Sequence, residues 1–382
     1  MYIYPSCTSS FLFMSTSPRE IKRMIAAAQS LPKGKKAVLA TVVHIEGSSY
    51  RRRGARMLVL EDGRMIGGIS GGCLEGDALR KALRVMDEAR ARIYRWDTRQ
   101  PEGHTIGAGL GCRGLIDVLM VPLHAADLNA TLEPLRIHLQ SRQSVWIAHP
   151  LAAHAETVEQ LWWWIEGEGW PHDQEMPPYL HAMRQQASAK MCSFTFQHAS
   201  DKWFVERLLP VPHLVIVGGG YDVQPLIELA VTLGWTCTVV ANLQKVPADR
   251  FSQAKRLIHL RQPNVWQSLH IDVRTAVVLM SHDFATDLEA LRALATSPAP
   301  YIGVLGPHKR HQHMRSQLPA AWWQEGGLLH RRYFAPVGLD IGADRPEEIA
   351  LSILAEIRAV FAKRQGGHLC RRKGDIYEAE DK

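Results

Sequence analysis

The stretch "HLVIVGGGYDVQPLIELAVTLGWTCTVVAN", residues 213–242, restricts the fold more than any other part of the chain. An apolar run enters three glycines, continues as apolar residues at helical spacing, ends at Gly234 and gives way to a second apolar run. Short apolar runs of this kind read as strands buried on both faces, and a helix between two of them makes them parallel. The segment therefore predicts a βαβ unit. "TAVVLMSHDF" and "YIGVLGP" supply two further buried strands, each ending in polar residues or glycine. The expected fold class is α/β, with a Rossmann-like doubly wound parallel sheet in the C-terminal part.

Ligands in such sheets collect at the carboxyl ends of the strands, which marks Gly218, Gly219 and Gly220 in the first turn, and His282 with Asp283, as candidates. Helix-terminal N–H groups at a turn of this kind favour phosphate. The GxGxxG fingerprint is incomplete, because Val223 occupies its third glycine position, and Ala241 and Asn242 stand where an acid would hold an adenosine ribose. A Rossmann shape is expected without a secured nicotinamide site, and NAD(P) stays open as a ligand but disfavoured.

A chain of 382 residues has room for two or three domains. Residues 1–17 read as a poorly ordered extension, with Met14 just before a plausible helix start. Residues 18–125 read as a small N-terminal α/β domain. Its first element is an amphipathic helix over 18–31; then come the strand "KKAVLATVVHIEG", a hairpin around Asp62-Gly63, the helix "ALRKALRVMDEARA" and the strands "ARIYRWDT" and "LIDVLMVPL". Residues 126–210 form a connecting region of uncertain fold, in which "SFTFQ" and "KWFVERLLP" look like paired strands and "WWW" at 162–164 like core. Residues 211–382 are the Rossmann-like domain, closed by a long helix with Asp344 as expected N-cap.

Two glycine-rich loops of the N-terminal domain each carry a cysteine: "GGISGGCLEGD" holds Gly71, Gly72, Cys73 and Glu75, and "GAGLGCRG" holds Gly111 and Cys112. A thiolate in such a loop binds soft metals or accepts sulfur, whereas a buried thiol in a tight turn is a small hydrophobe, and both readings stay open. "GSSYRRRGARM" offers Arg51, Arg52, Arg53 and Arg56 beside Ser48 and Ser49 as an anion site, since guanidinium groups grip phosphate in a bidentate way. Its competing reading is a solvated loop. "HKRHQH" at 308–313 reads as a solvated basic patch in an irregular loop.

Other classes fall away on composition. The net charge of +7 is too small, without a basic stripe, to argue for nucleic acid. Six cysteines without a CxxC pair make a zinc ribbon and a disulfide framework improbable and point to a reducing compartment, the cytosol. No stretch reaches the roughly 20 apolar residues of a membrane helix.

In order along the chain, "GSSYRRRGARM", "GGISGGCLEGD", "GAGLGCRGLIDVL", "HLVIVGGGYDVQPL", "SHDF", "YIGVLGPHKR", "PVGLDIGADRPEEIALSILAEI" and "GGHLCRRKGDI" resemble the XdhC/CoxI family, accessory factors for molybdenum hydroxylases such as xanthine dehydrogenase. The resemblance covers about residues 20–375 and is weakest over 126–200. It implies a protein that binds molybdenum cofactor (molybdopterin, in simple or nucleotide form), supports its sulfuration with a cysteine desulfurase and hands it to the apo-enzyme. By motif, Cys73 and Cys112 carry over as thiolates for molybdenum or a persulfide. The other expected contacts are Gly71, Gly72, Glu75, Ser48, Ser49, Arg51, Arg52, Gly111, Gly218, Gly219, Gly220, His282 and Asp283. Tyr50 and Arg53 stand where the family often has proline, and Ala241 where it often has aspartate. A cytoplasmic cofactor chaperone, homodimeric by default, is expected rather than a catalyst with its own turnover. An NAD(P)-dependent oxidoreductase and a scaffold bridging desulfurase and target enzyme are the rivals.

Overall fold

A computed structural model of the chain describes residues 16–99, 114–151, 161–168 and 177–372. The chain divides into two compact units, the first ending at Pro210 and the second beginning at Val211. Among the described residues no helix is long and apolar enough to cross a membrane.

The first unit runs α1 (Pro18–Gln29), β1 (Lys36–Gly47), β2 (Arg56–Leu60), β3 (Met65–Gly67), α2 (Glu75–Glu88), β4 (Arg92–Asp97), β5 (Gly114–His124), α3 (Ala125–Thr131) and α4 (Glu133–Gln140). It continues with β6 (Val145–Pro150), β7 (Trp162–Ile165), α5 (Pro178–Lys190), β8 (Phe194–His198) and β9 (Asp201–Leu208). The strands form two antiparallel sheets, one in the order β3-β2-β1-β5-β4 and one in the order β7-β6-β9-β8. The second sheet fills the region left without an assigned fold at sequence level. Its β8–β9 pair is the expected one, from Phe194↔Val205 to His198↔Asp201.

Alternation along β1 explains the layering. Val38, Ala40 and Val42 face a core closed by Ala78, Ala82 and Val85 of α2. Ala37 and Leu39 face another, shared with Ile21 and Met24 of α1 and with Val145, Ile147 and Leu208 of the second sheet. On that sheet's far face Trp146 and Trp164 stack at 5.9 Å, so the tryptophan run is core as expected. Thr16 and Ser17, expected within the N-terminal extension, belong to the fold. Thr16 is buried and its Oγ1 donates to the Gly54 carbonyl, while Ser17 and Glu20 cap α1 reciprocally.

The second unit runs β10 (His213–Val217), α6 (Val223–Thr232), β11 (Thr236–Ala241), β12 (Arg256–His259), β13 (Thr275–Leu279), α7 (Phe284–Leu294), β14 (Tyr301–Val304), α8 (His308–Ser316), β15 (Tyr333–Phe334) and α9 (Pro346–Phe361). All strand pairs are parallel, in the order β12-β11-β10-β13-β14-β15. Counted within the unit, that is the 3-2-1-4-5-6 order of dinucleotide folds, with its switch point between β10 and β13. Leu214 and Ile216 face a core built with α6 and α9, and Val215 and Val217 face one built with α7 and α8. The sheet is covered on both faces, as its unbroken apolar strands require.

Two local expectations are corrected. "HKRHQH" belongs to helix α8, not an irregular loop: Pro307 starts it, His311 is buried with Nε2 2.7 Å from the Gly306 carbonyl, and Arg310 pairs with the buried Asp287. The N-cap of α9 is Arg345 rather than Asp344.

Candidate functional site

In the first unit, β1 ends, β2 begins, β3 ends and β5 begins at the same edge of the five-stranded sheet, and two expected site loops meet there. Residues 48–55 leave β1; residues 68–74 join β3 to α2. They touch through Tyr50 and Gly71. A Cβ at residue 71 would stand 3.1, 3.3 and 3.4 Å from Cγ, Cδ1 and Cδ2 of Tyr50, near-equal distances that put the glycine over the ring face. Gly72 has φ +107° and faces open space among the described residues, a backbone form that suits glycine. Cys73 follows as a half-buried free thiol against the α2-side core.

Glu75 fixes this loop. Its carboxylate accepts the Ser70 and Leu74 N–H groups at 2.9 and 3.2 Å and the Ser70 hydroxyl, so it ties down backbone that a side-chain cap would otherwise serve. Burial raises its pKa, but the hydrogen bonds from Ser70 and the backbone outweigh that and hold the carboxyl below its ordinary value. Glu75 is therefore a loop clasp rather than an open ligand.

The arginines are less open to an anion than their spacing suggests. Arg51 pairs with Glu20 and donates from Nε to the Gly68 carbonyl at 3.2 Å, and Arg53 donates to the Val43 carbonyl and Thr195 while its guanidinium covers the Phe204 ring at 4.3 Å. Arg52 is half-buried in the same loop. Ser48 is exposed. Ser49 is 4% exposed, and its buried hydroxyl has no hydrogen-bond partner among the described residues. Gly111 and Cys112 lie outside the described residues. Gly114, two residues after Cys112, pairs with Gly47, and a Cβ there would strike the Ser48 carbonyl.

Sequence reasoning missed a buried charge cluster in this unit. Arg56 of β2 pairs with Glu206 of β9, with one bond at 3.1 Å, and donates to the Gly54 carbonyl; His149 of β6 lies 3.3 Å from the same carboxylate. Only the arginine was visible, inside a run that looked like one anion site. Of the other thiols, Cys237 is core, pushed by burial up to about 12, and Cys370 is exposed. Cys192 is disulfide-bonded, so the expectation of unpaired cysteines fails there.

In the second unit, the turn after β10 and the one after β13 come together at the switch point. His282, in the left-handed region at φ +59°, places Nε2 2.8 Å from Oδ2 of Asp222, next to the glycine turn. The other oxygen of Asp222 is buried without a partner among the described residues. Asp283 is the N-cap of α7, accepting the Thr286 N–H at 2.7 Å, and hydrogen bonds from the Thr286 side chain and then its N–H hold the carboxyl below its ordinary value. It caps the start of that helix and is exposed. Ser281 and Arg310 converge on Asp287, a group with no signal beyond the spacing in "SHDFATD".

The three glycines are each accounted for by protein. A Cβ would strike the Met280 carbonyl at 218, stand 2.8 Å from Val246 Cγ2 at 219, and strike the Asp222 carboxylate at 220. On its Cβ side Gly219 therefore packs against Val246 and Ala241. Beyond β12 an open groove of about 530 Å³ borders the first turns of α7, lined in part by Arg261, Gln262, Trp266, Thr286 and Glu289. Among the described residues no three His, Cys, Asp or Glu side chains are grouped to hold a metal ion.

Comparison with known proteins covers both units. Residues 214–357 match the model of the XdhC Rossmann domain, and residues 30–97 match that of the XdhC and CoxI family. The chain is 29% identical to a Bacillus subtilis protein named as a probable component of xanthine dehydrogenase, over 84% of this chain and 92% of that one. It is also 29% identical to the molybdenum cofactor insertion chaperone PaoD of Escherichia coli, over 91% and 90%. A crystal structure described as a xanthine dehydrogenase from Bacillus halodurans superposes with a TM-score of 0.73 and 27% identity, covering 91% of this chain and 96% of the other. Matched in both units and aligned with these proteins over most of its length, the chain belongs to the XdhC and CoxI family.

Proposed function

We propose that this chain is an accessory factor that carries molybdenum cofactor as cargo and delivers it to a molybdenum hydroxylase of the xanthine dehydrogenase type. The relative named a molybdenum cofactor insertion chaperone and the one named as a xanthine dehydrogenase component support the role. The observation that carries it is the meeting of the Ser48–Tyr50 segment with the Gly71–Cys73 segment, where an unpartnered hydroxyl, open glycine backbone and a half-buried thiol share one sheet edge. The cargo brings its own dithiolene ligands to molybdenum, so a single thiolate is a sufficient protein donor, and thiolate is the soft donor such a centre takes. Cys73 faces the metal end in this reading. Cys112, the second cysteine expected from the motif, lies outside the described residues and is left out of the metal contact in this reading.

The finer parts of the reading are support of sulfuration together with a cysteine desulfurase, a cytosolic location and a homodimer. NAD(P) is a disfavoured ligand in it, because no acid stands directly after β11, where Asn242 follows Ala241. The test is co-purification. Wild-type protein from a host that makes the cofactor is expected to carry molybdenum and pterin in equal amounts, and Cys73→Ala to lose most of both. Wild-type protein free of both overturns the reading; full retention and full partner activation by Cys73→Ala removes the role given to that thiol.

A further inference from the structure

Tyr50 is a large aromatic side chain left 63% exposed on a loop whose neighbouring arginines are tied into the protein. Its placement is specific. One ring face rests on Gly71, and any side chain there would push the ring away, because even a Cβ would stand 3.1 Å from Cγ. The ring is thus held flat at the sheet edge by backbone, with its remaining surface turned to solvent. A tyrosine in that position has two torsions to fix and offers a large rigid π-face, the property used to bind flat conjugated ligands by stacking.

The residue before it supplies an independent observation. Among the described residues Ser49 buries a hydroxyl with no partner, and an unpaired buried hydroxyl favours a ligand with donors and acceptors at its rim. A stacking face beside an unsatisfied hydroxyl and open glycine backbone suits a planar heterocycle with polar edges. Molybdenum itself, or a phosphate alone, would make no use of the ring face.

We infer that Tyr50 is the stacking platform for the pterin ring of the cargo, held in place by Gly71, with Ser49 hydrogen-bonding the ring's edge. This rests on the proposed role as a molybdenum cofactor carrier and adds the residue that grips its organic part. It also gives a reason for tyrosine at a position where a proline, with no π-face, would serve a simple turn.

The test uses full-length protein and a simple pterin, 6-hydroxymethylpterin, whose fluorescence is quenched by stacking. Wild type is expected to quench it saturably, Tyr50→Phe to bind within about twofold because the π-face is kept, and Tyr50→Ala to bind about tenfold more weakly. Gly71→Ala, which displaces the ring without removing it, is expected to weaken binding similarly, and Ser49→Ala to weaken it with quenching at saturation unchanged. Tyr50 is mostly exposed, so its variants are expected to fold, which melting curves check. Equal affinity of Tyr50→Ala and wild type overturns the inference. So does wild-type protein that co-purifies with molybdenum and pterin yet binds the probe no better than Tyr50→Ala, an outcome that leaves the carrier role standing. Wild type that neither co-purifies with cofactor nor binds the probe overturns both.

Discussion

Arg56 and Glu206 are 150 positions apart, and their pairing sets how the first unit responds to acid. Both side chains are almost wholly buried, so each charge depends on the other. Burial pushes the Glu206 carboxyl up, but Arg56 and His149 pull it further down, to about 2. A carboxyl near 4.5 when unfolded and about 2 when folded contributes stability that is complete above pH 4.5 and fades as pH falls toward 2. His149 is held below its usual 6.5, first by burial and also by Arg56, against the hydrogen bond to Glu206. It stays neutral in the fold while the unfolded chain takes up a proton, so its contribution is complete above 6.5 and also fades on acidification. The first unit is expected to lose stability in two stages, from just below pH 6.5 and again below pH 4.5, as followed by urea unfolding across pH. His149→Gln should flatten the first stage. Glu206→Gln should flatten the second and, by stranding a buried guanidinium, cost about 3–5 kcal/mol at neutral pH; an unchanged profile in both variants would refute the account.

Elements were legible where the pattern was local. The βαβ unit of β10, α6 and β11 follows from apolar runs bounded by glycine, and the β2–β3 hairpin from Asp62-Gly63. The sheet of β6 to β9 was not, because β6 pairs with β9 across more than fifty residues, and its face becomes apolar only through that pairing. Helix α8 was hidden because its few buried residues include a histidine, so no apolar stripe marks it. At the candidate sites, the residue types were visible and their commitments were not: nothing local says that Arg51 pairs with Glu20, that Asp283 caps α7, or that Val246 packs against Gly219. This last contact can be tested at the turn after β10. Gly219→Ala is expected to cost about 1–3 kcal/mol by overpacking, and Val246→Ala in the same chain to restore most of it, because the clash is with a side chain. Gly218→Ala should not be rescued this way, since its Cβ would strike the Met280 backbone carbonyl. A Gly219→Ala variant as stable as wild type, in a thermal melt, would refute this packing.

Each unit has its own apolar cores: strands of the first pack with α1 to α5, and the parallel sheet of the second with α6 to α9. Units with separate cores and sizes in the usual domain range unfold as separate cooperative steps unless an interface couples them strongly. The substitutions above then act as labels, since each changes contacts inside one unit. In calorimetry at neutral pH, Glu206→Gln is expected to move one transition down by roughly 6–20 °C and leave the other in place. Gly218→Ala should do the reverse, lowering the other transition by roughly 2–12 °C. One transition shifted by both variants would mean that the units melt as a single body. A cargo held by residues of one unit would then stabilise the whole chain, whereas with two transitions bound cofactor should raise the melting of the first unit, which carries Tyr50 and Cys73. Comparing cofactor-loaded and cofactor-free protein in the same experiment therefore locates the cargo: a rise confined to the transition lowered by Gly218→Ala would move the binding site from the glycine loop to the parallel sheet.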